Sequence, residues 1–458
     1  MNRRIITSIS PTDGRLLAEY PETTPDEVRH HIDVASIRQA EWETVPIAER
    51  AVPMTRMAEL LEANRGELAE LMADEMGKPV VQGLGEVDKC AWVCRHYAEH
   101  AEEILADEAI EAGRTRSYVA YRPLGVVLAV MPWNFPLWQV YRFLAPALMA
   151  GNGGLLKHAS NVTGCSLRID RLVVEAGFPD GLFRSLVLPS SRVGEVLDHS
   201  GVVAATLTGS EPAGRAVAAK AGSLLKKTVL ELGGSDPYLV LADANLQQSA
   251  ATCATSRLIN GGQSCIAAKR FIVEAPVVEE FTELLAAEMA KAVMGDPRDP
   301  STTLGPMARV DLRDDLHDQV ERSVAAGARA VMGGLVPEGD GAFYPPTLLV
   351  GVTDGMAAYH EETFGPVAAV IAASDLDDAV RIANDTEFGL GAAIFTADAE
   401  LGERTARDRL QAGACFVNAF VASDPRLPFG GIKMSGYGRE LSDLGMREFL
   451  NAKTVVVA

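Results

Sequence analysis

The sequence predicts an α/β protein built on two parallel β-sheets, each covered by helices on both faces. Three patterns carry that prediction. From Pro25 to about Leu105 the pattern is that of helices. From residue 124, short apolar runs alternate with helical stretches, and near Pro237 a second alternating series begins. With 458 residues, 48% apolar and 23% charged, the chain can bury two such cores without disulfide staples.

In the helical zone, "PDEVRHHIDVASIRQA" and "RMAELLEANRGELAELMADEM" space apolar residues three and four apart. Gly77 and Pro79 end the second stretch. "EAIEAGRTRSYVAYRPLG" then joins a polar turn to the strand-prone run Tyr118 to Tyr121, which predicts part of a protruding hairpin. The first strand series is "GVVLAVMP", "GLLKH", "LFRSLVL", "VVAATLTG" and "KTVLELGG". Helical segments such as "TGCSLRIDRLVVEAG" and "EPAGRAVAAKAG" lie between them. The second series is "PYLVLA", "KRFIVEA", "GPVAAVIAA", "AAIFTA" and "GACFVNA", which puts a boundary near residue 232. The closing "NAKTVVVA" is strand-like, with no obvious neighbour in its own domain.

Composition narrows the partners. A net charge of −20 without any basic block disfavours nucleic acid and anionic membrane surfaces. "GVVLAVMPWNFPLW" is broken by two prolines and too short to span a bilayer, and "MNRRIITSISPTDGRL" lacks the apolar run of a secretory signal. Six cysteines without a CxxC pair form no disulfide framework, so a reducing cytoplasm is expected. The eight histidines show no ligand spacing, and no metal is expected.

Four short stretches hold candidate chemistry. In "NGGQSCIAAKR", Cys265 either packs as a small hydrophobe or acts as a nucleophile. Two preceding glycines favour close approach of a ligand, and a helix starting at Gln263 or Ser264 would favour thiolate. Glu231 in "VLELGGSDP" ends a strand, where it is either solvated or a base facing a cleft. Asn134 in "MPWNFPLWQ" lies between prolines, in a rigid turn or aimed at a developing oxyanion. "LTGSEPAG" joins a strand to a helix and suits a phosphate at the helix N-terminus, though it is not GxGxxG.

Taken in order, "MPWNFP", "LLKHAS", "LTGSEPAG", "LELGG", "GGQSC", "EETFGP" and "PFGGIKMSGYGRE" resemble the aldehyde dehydrogenase superfamily, from about residue 10 to the C-terminus. The likeness is greatest to its short, NADP-preferring succinate-semialdehyde dehydrogenase branch. The resemblance implies a Rossmann-like cofactor domain (1–104 and 124–232), a catalytic domain (233–440), and a small β oligomerisation element (105–123 and 441–458). That element implies a homodimer or homotetramer, with the closing strand paired across subunits. Cys265 matches the nucleophile, Glu231 the general base and Asn134 the oxyanion amide. Trp133, Lys157, Gly209, Ser210, Leu232, Glu362 and Phe364 match the cofactor pocket, Lys157 toward the adenosine ribose and Glu362 toward the nicotinamide ribose.

The implied chemistry is attack of Cys265 on an aldehyde, hydride loss to a nicotinamide, and hydrolysis of the thioester by water activated at Glu231. Ser160 stands where many NAD-preferring relatives carry a glutamate. With Lys157 nearby, NADP is expected to be preferred and NAD accepted more weakly. Arg142 and Ser423 match carboxylate-binding positions, which points to succinate semialdehyde. Truncating Arg142 is then expected to weaken binding of the semialdehyde but not of butanal. Another small aldehyde, a cysteine esterase without redox function, and a non-catalytic scaffold remain as rivals. The absence of a cysteine at positions 264 and 267 implies no disulfide switch at the nucleophile.

Replacing Cys265 by Ala is expected to abolish both aldehyde oxidation and ester hydrolysis. Glu231→Gln should give a burst of reduced cofactor followed by a stall, read by stopped-flow absorbance. Equal loss of both phases would remove Glu231 from the deacylation step.

Overall fold

A computed structural model describes residues 3–458. Its first large sheet takes Val126–Met131, Gly153–His158, Phe183–Ser185, Val202–Thr208 and Lys227–Glu231, all mutually parallel. In space their order is fifth, fourth, first, second, third. The order therefore reverses beside Val126–Met131, and the crevice beyond the carboxyl ends of the first and fourth strands is the natural ligand position. Strand Val126–Met131 reads as one apolar run because both its faces are covered. Val28, Ile32 and Ala35 of helix Pro25–Trp42 share one core with Val126 and Leu128. Helix Trp138–Met149 packs in a different core with Val127 and Ala129.

The second sheet takes Pro237–Val240, Arg270–Glu274, Thr347–Val350, Val367–Ala373, Gly391–Phe395 and Ala414–Val417 in parallel. Both α/β layers expected from the alternation are present. Three additions escape the sequence pattern, the first being strand Thr347–Val350 of the second sheet. Arg329–Met332 pairs antiparallel at the edge of the second sheet, and Gly436–Tyr437 returns to pair antiparallel with Lys227–Glu231. An N-terminal hairpin of Ile5–Ile9 and Leu16–Pro21 also carried no signal strong enough to read.

Two expectations need correction. The stretch from Arg56 to Met76 is not one helix: Ile47–Ala63 and Arg65–Met76 meet at Asn64, whose φ/ψ of −104°/17° leaves the helical region. Gly77 does cap the second helix, in the left-handed conformation with φ 77°. The closing strand, moreover, has a neighbour in its own chain. Leu450–Val457 pairs antiparallel with Arg116–Pro123 along its length, and Glu108–Ala109 joins the far side. Such remote pairing leaves no trace in a local pattern. Among the described residues, none pairs with the other edge of Leu450–Val457, and Val456 and Val457 are exposed. Among the described residues, no helix is long and apolar enough to cross a membrane.

A buried ion pair seats the loop after Val126–Met131. Lys78 and Glu86 are in contact, each with a side chain at most 2% exposed. Glu86 Oε1 also accepts the Leu137 and Trp138 N–H groups at 2.8 and 2.9 Å, satisfying donors at the start of helix Trp138–Met149. The Lys78 ammonium lies 4.0 Å from the Phe135 ring centroid. Removing one partner strands the other charge in the interior. Glu86→Ala should therefore cost about 3–5 kcal/mol in urea unfolding, and a cost below about 1 kcal/mol would show the pair to be dispensable.

Candidate active site

Cys265 sits on an irregular loop between helix Leu246–Leu258 and strand Arg270–Glu274. Asn260, Gly261 and Gly262 have φ of 56°, 62° and 72°, three left-handed residues in succession. A Cβ on Gly262 would come within 2.2 Å of the Gly365 carbonyl oxygen, so the loop is pressed against the "EETFGP" segment. Its own carbonyls are satisfied by side chains. Lys269 Nζ donates to Ser264 O, Cys265 O and Ala267 O at 3.0, 2.8 and 3.4 Å, and Arg257 Nη2 donates to Gly262 O at 2.5 Å.

No helix begins at Gln263 or Ser264, which overturns the expected source of thiolate stabilisation. The chain leaves the left-handed residues through turns and next becomes regular at Arg270. Cys265 is half-buried on a cavity wall, and loss of solvent around its sulfur pushes the thiol up to about 12, against the pull of Arg142 and then Lys269.

Asn134 lies next to this loop. Its amide donates to Gln263 O at 3.0 Å and accepts from Gln139 Nε2 at 3.1 Å, while the Asn134 carbonyl accepts from Asn260 Nδ2 at 2.7 Å. One amide N–H is thereby spent on Gln263, which leaves the second without a partner among the described residues. Glu231 is buried at the end of its strand, with neither carboxyl oxygen bonded to the protein. Burial pushes its carboxyl well above the usual range; Arg142 pulls it down and Glu440 pushes it up.

Arg142 is not a surface residue. Its guanidinium is buried in an ion pair with Glu440, donates to Thr208 Oγ1 at 3.2 Å, and lies 4.7 Å from the Phe429 ring centroid. Cys265, Arg142 and Ser423 line one cavity of about 430 Å³, together with Lys89, Trp138 and Phe429. Asn134 and Glu231 are not among the residues that line it. Because Arg142 neutralises Glu440, the expected effect of its truncation needs amending. Its loss would strand a second buried carboxylate near Glu231, and uncharged aldehydes would suffer too.

The matched cofactor positions gather around the crevice of the first sheet. Lys157, next to last in its strand, is buried, donates to Ser190 Oγ at 3.0 Å, and is pushed down to about 8 by desolvation. Ser160 opens the turn Ser160–Val162 that follows. Gly209 and Ser210 link Val202–Thr208 to helix Glu211–Ser223, and Ser210 makes no side-chain cap bond. Leu232 N–H donates to Ser435 O at 3.0 Å. Trp133 and Phe364 meet edge to face, with centroids 5.7 Å apart. Glu362 accepts the Gly234 N–H at 3.0 Å and lies 3.4 Å from Lys269 Nζ. The second sheet thus contributes Glu362, Phe364 and Cys265 from loops ahead of its strands to the carboxyl ends of the first sheet.

These residues fit a dinucleotide. A thirteen-residue helix offers uncapped N–H groups to a pyrophosphate, and a buried ammonium with a hydroxyl nearby suits a ribose and its substituents. Lys269, Glu440 and Lys89 were not singled out from the sequence. Lys269 lies in the quoted cysteine motif, but its carbonyl partners depend on the loop geometry. Lys89 is one charged residue on an amphipathic helix, and Glu440 one acidic residue in a glycine-rich motif.

The Aldehyde dehydrogenase family description matches residues 1–455. The chain belongs to that family. The protein of Synechocystis sp. named "Probable succinate-semialdehyde dehydrogenase" with NADP(+) specificity is 48% identical over 453 residues, 99% of this chain and 100% of that one. The NADP(+) succinate-semialdehyde dehydrogenase 1 of Mycobacterium tuberculosis is 49% identical over 456 residues, again 99% and 100%. Among solved structures, the succinic semialdehyde dehydrogenase of Streptococcus pyogenes in complex with NADP+ superposes with a TM-score of 0.97, at 37% identity over 99% of each chain.

The raised thiol has a direct consequence. Since the thiolate reacts and the thiol does not, alkylation of Cys265 by iodoacetamide in the protein alone should climb steadily from pH 7 to pH 10. Peptide mapping by mass spectrometry would follow it. A plateau reached below pH 8 would mean that the sulfur is ionised by a neighbour.

Proposed function

We propose that this chain oxidises succinate semialdehyde to succinate, using NADP in preference to NAD. One observation carries the substrate assignment: the nucleophile shares its cavity with cationic and hydroxyl side chains able to hold a distal carboxylate. The names of the relatives agree.

The Cys265 thiol gives its proton to solvent water, and the resulting thiolate attacks the aldehyde carbon. The second Asn134 amide N–H and the Cys265 backbone N–H stabilise the resulting oxyanion. NADP, when bound, would be held by Lys157, Ser160, Gly209, Ser210, Leu232, Trp133, Glu362 and Phe364, and would supply the acceptor for the hydride that leaves the former aldehyde carbon. Cys265 is left as a thioester. Glu231 then takes a proton from water, whose oxygen attacks the thioester carbon and frees the thiol and the acid. The high proton affinity of a buried Glu231 makes it a stronger base than an exposed carboxylate, and confines it to the basic side of the usual carboxylate range.

Residues 1–104 and 124–232 form the cofactor-binding domain and residues 233–440 the catalytic domain in this proposal. Residues 105–123 and 441–458 form an oligomerisation element. The strandless edge of Leu450–Val457 supports a homodimer or homotetramer. Six free cysteines support a reducing, cytoplasmic setting.

Cofactor preference rests on Ser160, which puts a neutral hydroxyl three residues after Lys157. An aldehyde panel run with both cofactors should give the highest kcat/KM for succinate semialdehyde with NADP, and glutarate semialdehyde should be slower. Ser160→Glu should move the NADP-to-NAD ratio toward NAD, because a carboxylate repels a 2′-phosphate. An unchanged ratio would move the discriminating contact away from position 160. Ester turnover without hydride transfer to either cofactor would make the protein a hydrolase.

A further inference from the structure

Three cations line the cavity beside Cys265, and two are already neutralised. Lys78 is paired with Glu86, and Arg142 with Glu440. Lys89, on helix Val80–Ile104, has no carboxylate partner among the described residues. Its ammonium donates to Ser423 Oγ at 2.8 Å and lies 4.4 Å from the Trp138 ring centroid. Asp424, the next residue along, is engaged by Arg426 at 2.6 Å.

We propose that Lys89, rather than Arg142, supplies the unpaired positive charge that receives the distal carboxylate of the substrate, with Ser423 held beside it as a hydroxyl donor. This rests on the semialdehyde assignment above and deepens it. The charge balance of the wall favours it. Two closed ion pairs contribute no net charge, and one ammonium remains to match one carboxylate. A carboxylate drawn to Arg142 would have to share that guanidinium with Glu440, placing two anions side by side in a low-dielectric pocket. At Lys89 no such competition exists. The ammonium has three N–H donors and spends one on Ser423. Ser423, accepting from Lys89, keeps its own proton to donate to the substrate. An uncharged aldehyde leaves these groups desolvated without a partner, so the site selects for the charged tail.

The same geometry makes the selection depend on pH. Burial and then Arg142 push Lys89 down to about 8, against the opposing pull of Cys90, Asp424 and Glu86. The ammonium is charged below that value and neutral above it, so the preference for a carboxylate should be full near pH 7 and fade as pH rises through about 8. The step belongs to kcat/KM, which reports protein before substrate binds. A guanidinium in its place would not titrate there.

The test is the ratio of kcat/KM for succinate semialdehyde to that for butanal, from pH 7 to pH 10, in the unaltered protein, Lys89→Met and Lys89→Arg. The unaltered protein should favour the semialdehyde at pH 7 and lose that preference through about pH 8. Lys89→Met should lower the ratio at pH 7 by roughly 10- to 100-fold, the range of a lost hydrogen bond to a charged group. Lys89→Arg should keep a high ratio without the step. If the unaltered protein prefers the semialdehyde and Lys89→Met does so equally, Lys89 is overturned and the substrate assignment stands. If the unaltered protein shows no preference, both fall. Should Lys89→Met fail to fold, the pair of pH profiles decides: a step persisting in Lys89→Arg overturns the proposal, and its disappearance supports it.

Discussion

Between Leu258 and Arg270 the chain is neither helix nor strand along most of its length, and most of it is buried. A buried irregular backbone has carbonyl oxygens that no ladder can satisfy. Here basic side chains take that role. Lys269 binds three carbonyls of the nucleophile loop, and Arg257 binds Gly262 O, Thr363 O and Val367 O. Arg270 binds Ser235 O, Ile382 O and Ala383 O, tying the same region to the adjoining strand and helix. All three side chains are essentially removed from solvent. The position of the sulfur depends on these carbonyl contacts more than on any secondary structure of its own.

The same contacts connect chemistry to cofactor. Lys269 touches the carbonyl of Cys265 and lies close to Glu362, whose other contact is the Gly234 N–H just beyond Glu231. One ammonium thus spans the nucleophile loop and Glu362, the residue that the proposed function assigns to the nicotinamide ribose. Its charge also favours the thiolate, second to that of Arg142, without outweighing burial. The sulfur is therefore held protonated by its surroundings and needs a change of surroundings to react.

The sequence was informative wherever structure is local. Strands Val126–Met131, Val202–Thr208 and Lys227–Glu231 stood out because apolar runs with turn residues at their ends need no distant partner to be recognised. The order of the motifs named the family. Pairings between distant segments were not legible: Leu450–Val457 with Arg116–Pro123, and Gly436–Tyr437 with Lys227–Glu231, are decided by the assembled fold. The expected helix at Gln263 failed for a related reason. Glycines before a polar residue suit a helix start and an irregular buried loop equally well, and only the carbonyl contacts of Lys269 and Arg257 distinguish them. Among candidate side chains, type and motif identified Cys265, while Lys89 required knowing which neighbouring charges were already paired.

Arg142 shows how the pairing of charges alters the role of a residue. The resemblance assigns it to the substrate carboxylate, and it does line the cavity beside Cys265. Its guanidinium, however, is the partner of Glu440, and together they border Glu231. Burial raises the proton affinity of both carboxyls, and Arg142 opposes this in both cases. Had Arg142 also to bind the substrate tail, its hold on Glu440 would weaken as substrate entered, and Glu231 would become harder to deprotonate when deacylation needs it. Separating the two tasks, with Arg142 toward the base and Lys89 toward the tail, lets the substrate bind without disturbing the base that later releases it.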